Sequence, residues 1–293
     1  MAVKNRSQIK SVLVASESPD LYTTKRLIME AKKLKYQSEW LNPYQSLIAA
    51  YITPPLRENF TTLYFQRTTG VRYDDFDLLV AQYHLKNLGH KITNPIEAST
   101  LFRSKDKQAL FFRENNLKSI QSICYRGFLN EEYWETITRL SGEQKYILKM
   151  VRGNQGIGVN LINGIQSLKS ILETFNALKD QKFIIQPFIK HKKEWRIFII
   201  KNKIIAIIER KIGDNDFRGN SKHNVGKLIQ KISPEIQDEA LRGAAQSGLD
   251  YCGIDIMEDE NEFYFLEFNP VPGFEQIESL SGLNIAKELI TTL

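Results

Sequence analysis

Near the end of this 293-residue chain, two short strand-like segments carry side chains that could bind a cation. Tyr251–Met257 and Phe263–Phe268 alternate apolar and polar residues on either side of a turn-forming Asp-Glu-Asn, which predicts a β-hairpin. With the turn centred on that tripeptide, Asp255 lies directly opposite Glu267 in the antiparallel ladder. Because side chains two positions apart on a strand share a face, Asn269 joins Glu267.

These three side chains predict a site for a hard cation. Two facing carboxylates repel each other unless a cation lies between them. Carboxylate and amide oxygens suit Mg²⁺, which takes few protein ligands and completes its shell with phosphate and water. The alternative is an edge hairpin whose polar face only meets water.

A glycine-rich turn between two predicted strands is the second candidate site. The segment Gly153–Val159 (GNQGIGV) follows a strand over Tyr146–Val151 and precedes another over Asn160–Ile162. Backbone N–H groups in such a flap can close over phosphates, and Lys149 can reach the same phosphates as a point charge. The segment is neither a Walker A loop nor a Rossmann turn, because no GK[ST], third glycine or helix follows. A hairpin without a ligand is the alternative.

Two arginines lie in a strand pair that is otherwise rich in Ile and Phe. The strands are predicted over Glu194–Ile200 and Lys203–Arg210, and they carry Arg196 and Arg210. A guanidinium among core residues needs an anionic partner. The polar loop that follows, GDNDFRGNSKHNVG over 213–226, adds further cationic and amide groups.

The elements that must position these residues point to an α/β fold. Strands and helices alternate over the first part of the chain, which predicts a parallel sheet there. The strands are predicted over 8–15, 36–41 and 62–66, and the helices over 21–34 and 74–88. Later helices are predicted over 95–102, 106–115, 166–178 and 233–247, among strands that pair as hairpins.

Composition and net charge indicate a soluble protein that binds anionic ligands. A chain with 42% hydrophobic and 25% charged residues is typical of a soluble protein, and no apolar run approaches the roughly 20 residues of a membrane helix. The formal charge of +6 suits anionic ligands, but no aromatic and basic motif for nucleic acid is present. Cys124 and Cys252 lack metal-ligand spacing, so we expect buried free thiols and a reducing cytoplasm.

Three features follow one another in the chain: a lysine with a glycine-rich flap, an arginine strand with a polar loop, and the Asp…Glu-x-Asn hairpin. In this order they resemble the ATP-grasp superfamily, and more narrowly its RimK-type amino-acid ligases. The segments that carry the resemblance are Lys149 with 153–159, IIERK at 207–211, DFRGN at 216–220, GIDI at 253–256, and EFNP at 267–270 with Pro272-Gly273. A weaker match at Leu21–Leu27 extends it over nearly the whole chain.

The resemblance implies a nucleotide site, a metal site and a substrate site. Residues implied to bind ATP are Lys107 and Lys149 at the phosphates, Gly156, Ile157 and Gly158 at the flap tip, Gln186, Pro187 and Phe188 at the adenine, and Glu194 at the ribose. Residues implied to hold Mg²⁺, or Mn²⁺ in its place, are Asp255, Glu267 and Asn269. Arg196 and Arg210 are implied to hold or polarise the substrate carboxylate, and Arg218 and Asn220 to contact the phosphates or the acyl-phosphate.

The resemblance also implies a fold in three lobes. A parallel-sheet domain over residues 1–94 precedes a small α+β lid over 95–185, and an antiparallel-sheet lobe over 186–293 closes on the lid. The nucleotide would bind between the last two lobes. A homo-oligomer is likewise implied.

The implied reaction is ATP-dependent formation of an amide. A carboxylate attacks the γ-phosphate to give an acyl-phosphate, and an amine then displaces phosphate, so no enzyme nucleophile is needed. L-Glutamate added to an acidic peptide or protein C-terminus is the favoured substrate pair. Pro187 and Arg152 depart from the family pattern, as does the loop at 221–226, and these departures bear on the choice of substrate.

The sequence leaves four alternatives to this function open. Ligation onto a small molecule or a carrier protein is one, and modification of a precursor peptide is another. A third is a non-catalytic, regulatory ATP-binding protein on the same fold. The fourth is a nucleic-acid-binding protein, for which steep salt dependence would be the signature.

Overall fold

A four-stranded parallel sheet forms the N-terminal part of the chain. The computed structural model describes residues 9–48, 61–69, 75–126, 131–140, 145–153, 156–177, 182–191, 193–211, 226–259 and 262–293. The sheet consists of β1 (Ile9–Ala15), β2 (Gln37–Leu41), β3 (Thr61–Gln66) and β4 (Lys91–Thr93), in the order β2-β1-β3-β4 with every pair parallel. A 3₁₀ turn, Pro43–Gln45, follows β2.

Helices α1 (Tyr22–Lys33) and α2 (Phe76–Leu88) connect these strands. The central strands are nearly continuous runs of buried apolar residues, as expected of a parallel sheet covered on both faces. Helix α2 ends at Gly89, whose φ of +65° is the left-handed cap that glycine adopts without strain. The α/β fold and the parallel sheet predicted from the sequence are confirmed.

The second sheet is antiparallel and lies in the middle of the chain. Its strands are β5 (Ile123–Arg126), β6 (Lys145–Met150), β7 (Val159–Asn163) and β8 (Lys182–Pro187), in the order β5-β8-β6-β7. Helices α5 (Glu131–Leu140) and α6 (Ile165–Ala177) cover one face. Alternate residues such as Leu148 and Ile185 pack under these helices, so Ile147, Lys149 and Gln186 point away from them.

The third sheet is antiparallel and lies in the C-terminal part of the chain. Its strands are β9 (Lys193–Ile200), β10 (Lys203–Lys211), β11 (Gly226–Ile229), β12 (Tyr251–Glu258) and β13 (Phe263–Asn269), in the order β11-β10-β9-β12-β13. Its remaining helices are α7 (Pro234–Ser247), α8 (Glu275–Ser281) and α9 (Ile285–Thr292). The predicted start of α7 is confirmed, because the Ser233 side chain accepts a hydrogen bond from the Ile236 N–H.

Two short helices, α3 (Ile96–Phe102) and α4 (Lys105–Glu114), follow the parallel sheet. Phe102, Phe111 and Phe112 pack against Phe268 of the third sheet, so both helices belong to the core of that sheet rather than to the second one. The predicted lobe boundary after residue 185 falls inside β8.

One prediction about the cysteines is wrong. Cys252 is a buried free thiol in β12, as expected, whereas Cys124 is free but exposed. Cys124 lies in β5 at the edge of its sheet, between Ile123 and Tyr125, whose side chains pack into the core, and so it takes the outward side of the strand. Among the described residues, no helix has the length and apolar character that crossing a membrane requires.

Candidate active site

A cavity of about 580 Å³ is lined by residues of the second and third sheets and of the loops that follow β1 and β3. This volume is in the range of small-molecule sites. Ionisable groups of both signs converge there: Arg67, Lys105, Lys149, Arg196, Arg210, Glu194, Asp255, Glu267 and Glu275.

The carboxylate hairpin forms one wall of the cavity. In strands β12 and β13, Asp255 lies opposite Glu267 as predicted from the sequence, and Asn269 lines the cavity beside them. A bulge after Asp255 shifts the pairing nearer the turn, where Ile256 lies opposite Phe265 instead of the Leu266 that the prediction requires. Asp255 is only 1% exposed. Asn269 Oδ1 accepts a hydrogen bond from the Val271 N–H at 2.8 Å, which fixes the orientation of its amide.

Two arginines flank the Asp255 carboxylate. Arg196 Nε donates to Oδ1 at 2.6 Å and its Nη2 donates to Oδ2 at 2.5 Å, while Arg210 Nη1 lies 3.5 Å from Oδ1. Burial opposes the charge on Arg196, but the attraction of Asp255 and Glu267 outweighs it and raises the pKa of Arg196. Burial and repulsion from Arg196 lower the pKa of Arg210. The anionic partner that the sequence predicted for these arginines is therefore Asp255.

The donor set of the hairpin fits a hard cation. Within the part of the chain that the structure describes, no group of three or more His, Cys, Asp or Glu side chains could hold a metal. The available oxygens are those of two carboxylates and one amide, which suits an ion such as Mg²⁺ that keeps most of its water and phosphate ligands. Glu267 has no hydrogen-bond partner among the described residues, so its oxygens are free for this role.

The glycine-rich turn connects β6 and β7 at the rim of the cavity. Lys149 pairs with Val159, and Met150 N–H donates to Gly158 O at 3.0 Å. Gly156 and Gly158 have φ of +73° and +76°, and a Cβ at Gly158 would lie 2.9 Å from the Met150 sulfur. Glycine is therefore required there both for the backbone conformation and for space. Ile157 at the tip is 68% exposed and lines the cavity.

Two lysines point into the same space. Burial, and then repulsion from Lys105, lower the pKa of Lys149 to about 8, against the opposing effect of Glu267. Lys105 begins α4 and donates to Gly153 O at 3.1 Å, so it also supports the base of the flap. Lys107, the lysine selected from the sequence, is exposed and does not line the cavity. Residues two apart on a helix face different directions, and here it is Lys105 that faces inward.

A family model now identifies the arrangement. The model for the RimK-like ATP-grasp domain matches residues 127–293, which is more than half of the chain and includes the flap, the arginine strands and the carboxylate hairpin. The chain belongs to the RimK-like ATP-grasp family. It is therefore a carboxylate–amine ligase, and the predicted resemblance is confirmed.

Curated relatives are similar in sequence to this ligase over nearly its whole length. The chain is 30% identical over 288 residues to a probable alpha-L-glutamate ligase of Haemophilus influenzae (strain PittEE), covering 93% of this chain and 94% of the relative. It is 24% identical over 289 residues to a probable alpha-L-glutamate ligase of Syntrophotalea carbinolica, covering 94% and 93%.

Solved structures confirm the ATP-grasp fold. The ATP-grasp ligase PsnB complexed with a minimal precursor superposes with a TM-score of 0.73 at 16% identity, covering 97% of both chains. The macrocyclase MdnC of Microcystis aeruginosa, bound to precursor peptide MdnA, gives a TM-score of 0.68 at 16% identity, covering 97% of this ligase and 100% of MdnC.

The segment expected to meet a nucleotide base in this ligase lies at the end of β8. Gln186, Pro187 and Phe188 all line the cavity. Pro187 has no N–H, and the Phe188 N–H already donates to Lys145 O at 3.1 Å. Gln186 Nε2 donates to the Ser122 hydroxyl at 2.7 Å, which leaves the buried Oε1 with no partner among the described residues. The side chain of Gln186 thus offers an acceptor that the sequence did not single out.

Glu194, expected near the ribose, is buried at the cavity wall and accepts a hydrogen bond from His191 Nε2 at 3.0 Å. Arg218 and Asn220 lie outside the described residues.

The sequence-based reasoning missed the contribution of the N-terminal sheet to the cavity of the ligase. Leu21, Tyr22 and Thr23 at the start of α1 line it, as do Arg67 and Thr69 after β3. The predicted parallel sheet could have indicated this contribution, because the loops that follow parallel strands lie together at one edge of the sheet.

Proposed function

We propose that this ligase uses ATP and Mg²⁺ to activate a carboxylate as its acyl-phosphate and joins it to the amine of L-glutamate at the C-terminus of a peptide or protein. The observation that carries the proposal is that one cavity holds the flap with its two lysines, the carboxylate hairpin and the paired arginines. Each of these groups matches one part of the two substrates.

The triphosphate would lie between the flap and the lysines. Lys149 and Lys105 supply positive charge, and the glycine turn at Gly156–Gly158 supplies backbone N–H groups. Asp255, Glu267 and Asn269 would hold Mg²⁺, which when bound neutralises charge that develops on the transferred phosphoryl group.

The base of the nucleotide would enter the apolar part of the cavity. Ile120, Ile147 and Leu266 line it together with Met257. The Oε1 of Gln186, which has no partner among the described residues, would accept a hydrogen bond from the exocyclic amine of adenine, which guanine lacks at that position.

The reacting carboxylate would be held by Arg196 and Arg210. Both guanidiniums line the cavity beside Asp255, so they can orient the carboxylate towards the γ-phosphate and stabilise the tetrahedral oxyanion formed when the amine attacks. The flap, with Ile157 at its tip, would shield the acyl-phosphate from water.

The choice of substrates is supported by the relatives. Those quoted above are named probable alpha-L-glutamate ligases, and two structural neighbours were solved with precursor peptides. The net charge of +6 would help to attract an acidic tail.

The test is ADP release with Mg-ATP, L-glutamate and a panel of peptides with acidic C-termini, with product masses measured alongside. A mass gain of whole glutamate residues that disappears in Glu267→Gln supports the proposal. Mn²⁺ in place of Mg²⁺ tests the breadth of the metal requirement. ATP binding without ADP release, across all amines and peptides tested, contradicts the proposal and favours a regulatory ATP-binding protein.

A further inference from the structure

A buried arginine that has no carboxylate partner among the described residues lies at the N-terminal side of the cavity. Arg67 is only 6% exposed and lines the cavity. Its Nη1 donates to the Tyr251 hydroxyl at 3.1 Å and its Nη2 to Pro272 O at 2.9 Å, while Nε has no partner in the part of the chain that the structure describes. No ion pair is found for it among the described residues. A buried cation is costly unless it is paired, so Arg67 calls for an anion supplied by a ligand.

The start of helix α1 offers backbone donors to the same cavity. The first N–H used within the helix is that of Lys25, which donates to Leu21 O at 3.0 Å. The N–H groups of Tyr22 and Thr23 have no acceptor in the described part of the chain, no side chain caps the helix, and its first turn contains no acidic residue. An uncapped helix N-terminus carries partial positive charge and favours a carboxylate or phosphate.

Sheet topology brings these two features together. Strands β1 and β3 are neighbours in the sheet. After β1 the chain continues to β2 on one side of this pair, and after β3 it continues to β4 on the other side. The crevice at the carboxyl ends of two such strands is where open α/β sheets bind ligands. Helix α1 follows β1 and Arg67 follows β3, and the Arg67 N–H donates to Ala15 O at 2.8 Å, which ties the two strand ends together.

We propose that this crevice binds the non-reacting carboxylate of the amine-bearing substrate, an amino acid. This inference rests on the proposed function. The crevice, called here the switch-point subsite, is formed by Leu21, Tyr22, Thr23, Arg67 and Thr69. A carboxylate held at Arg196 and Arg210 is the one to be phosphorylated, so the amine-bearing substrate must keep its own carboxylate at other cations.

The surroundings favour an amino acid over a simple anion. Glu275, the first residue of α8, is exposed and lines the same cavity, and its charge reaches Tyr22 of the subsite. A ligand with an ammonium beside its carboxylate satisfies both Arg67 and Glu275, whereas phosphate or sulfate would be repelled by Glu275.

The sharpest test places a carboxylate in the subsite itself. Thr23→Glu adds an acid to the first turn of α1, which favours the helix, while it competes with the ligand for the same N–H groups. Thr23→Gln is the matched control, because it has the same shape without the charge. Binding of L-glutamate is measured by calorimetry in the presence of Mg²⁺ and a non-hydrolysable ATP analogue, together with the affinity for the analogue and the melting temperature.

We expect Thr23→Glu to weaken L-glutamate binding about tenfold relative to Thr23→Gln, with analogue affinity and melting temperature unchanged. Arg67→Lys keeps the charge but removes the Nε–H, and it should weaken glutamate in the same way, whereas Lys25→Gln, on the exposed side of α1, should not. Equal glutamate affinity in Thr23→Glu and Thr23→Gln overturns the proposal. So does a wild-type protein that binds L-glutamine and L-isoglutamine both as tightly as L-glutamate.

The outcomes separate this proposal from the proposed function. If glutamate binds, and binds more weakly to Thr23→Glu, but no peptide gives ADP release, the subsite stands and the proposed reaction fails. If wild-type protein ligates glutamate to a peptide and Thr23→Glu has the same KM for glutamate as Thr23→Gln, the reaction stands and the subsite fails.

Discussion

Arg196 holds both carboxylate oxygens of Asp255 from the neighbouring strand, with donor–acceptor distances of 2.6 and 2.5 Å. The repulsion between Asp255 and Glu267, which the sequence suggested a metal must relieve, is therefore offset in part by a cation of the protein itself. Asp255 has a structural role in addition to the one proposed for it as a metal ligand.

Substitutions of the two carboxylates should consequently behave differently. Asp255→Asn removes the carboxylate that Arg196 and Arg210 contact directly and should lower the free energy of unfolding by about 3 kcal/mol. Glu267→Gln removes a carboxylate that has no hydrogen-bond partner among the described residues and should change this free energy by less than about 1 kcal/mol. Both should lower turnover by about 100-fold or more. Urea denaturation and ADP release measure the two effects, and a stable Asp255→Asn protein contradicts the structural role.

If Lys149 binds the phosphates as proposed, nucleotide binding should have a specific pH dependence. Its pKa is lowered to about 8 by burial and by Lys105, so the cationic form is lost as pH rises through this value. Since a charged lysine attracts phosphate, the affinity for ATP should decrease between about pH 7.5 and 9. Lys149→Arg stays charged throughout and should flatten the profile. Fluorescence titration with a labelled ATP analogue at several pH values makes the comparison; identical profiles for both proteins exclude Lys149 as the cause.

Arg152, which departs from the family pattern, connects the base of the flap to Asp75 at the start of helix α2. Its Nη1 and Nη2 donate to both oxygens of Asp75 at 2.9 and 2.7 Å, and Arg103 contacts the same carboxylate at 3.3 Å. Arg152→Gln should lower the free energy of unfolding by about 1–2 kcal/mol and speed hydrogen exchange in β6 and β7.

A matched substitution for Arg152→Gln is available on the surface. Arg139 pairs with Glu135 one turn away in α5, where both side chains are largely exposed. Arg139→Gln should change stability by less than about 0.5 kcal/mol. If the two variants are equally stable and exchange equally fast, the contact between Arg152 and Asp75 does not hold the flap.

His84 should make the N-terminal domain sensitive to acid. Its ring packs on Tyr64, and its Nδ1 lies 3.0 Å from Nδ1 of His90. Burial, and then His90, lower the pKa of His84 to about 4. An unfolded histidine titrates near pH 6.5, so between about pH 6.5 and 4 the unfolded state binds more protons and stability decreases as pH falls. His84→Phe keeps a ring but no proton, and urea denaturation at pH 7.5 and 5 should show a smaller loss; an equal loss assigns the sensitivity elsewhere.

A bulge separates the Asp255–Glu267 pair from the turn, but the pairing of these two residues could be predicted, because a period of two and a short turn constrain the register. The choice between Lys105 and Lys107 could not, since it depends on how α4 packs through Phe111 and Phe112. The hydrogen-bond partners of Arg67 could not be predicted either, because Tyr251 and Pro272 lie 184 and 205 residues away in the chain. Motifs therefore indicated the chemistry, whereas long-range packing decided which cations line the cavity.

The two thiols give this ligase a built-in reporter of its own opening. Cys124 is exposed at a sheet edge, whereas Cys252 is 1% exposed in β12 and burial raises its pKa to about 12. A thiol reagent should modify the exposed Cys124 first, although burial of its sulfur and the charge of Asp106 raise its pKa, and should reach Cys252 only when the sheet beneath the active site separates. The delay between modification of Cys124 and of Cys252 would measure how often the sheet separates, without any introduced label. A bound ligand that lengthens this delay stabilises the closed core, and the increase in the delay would measure by how much.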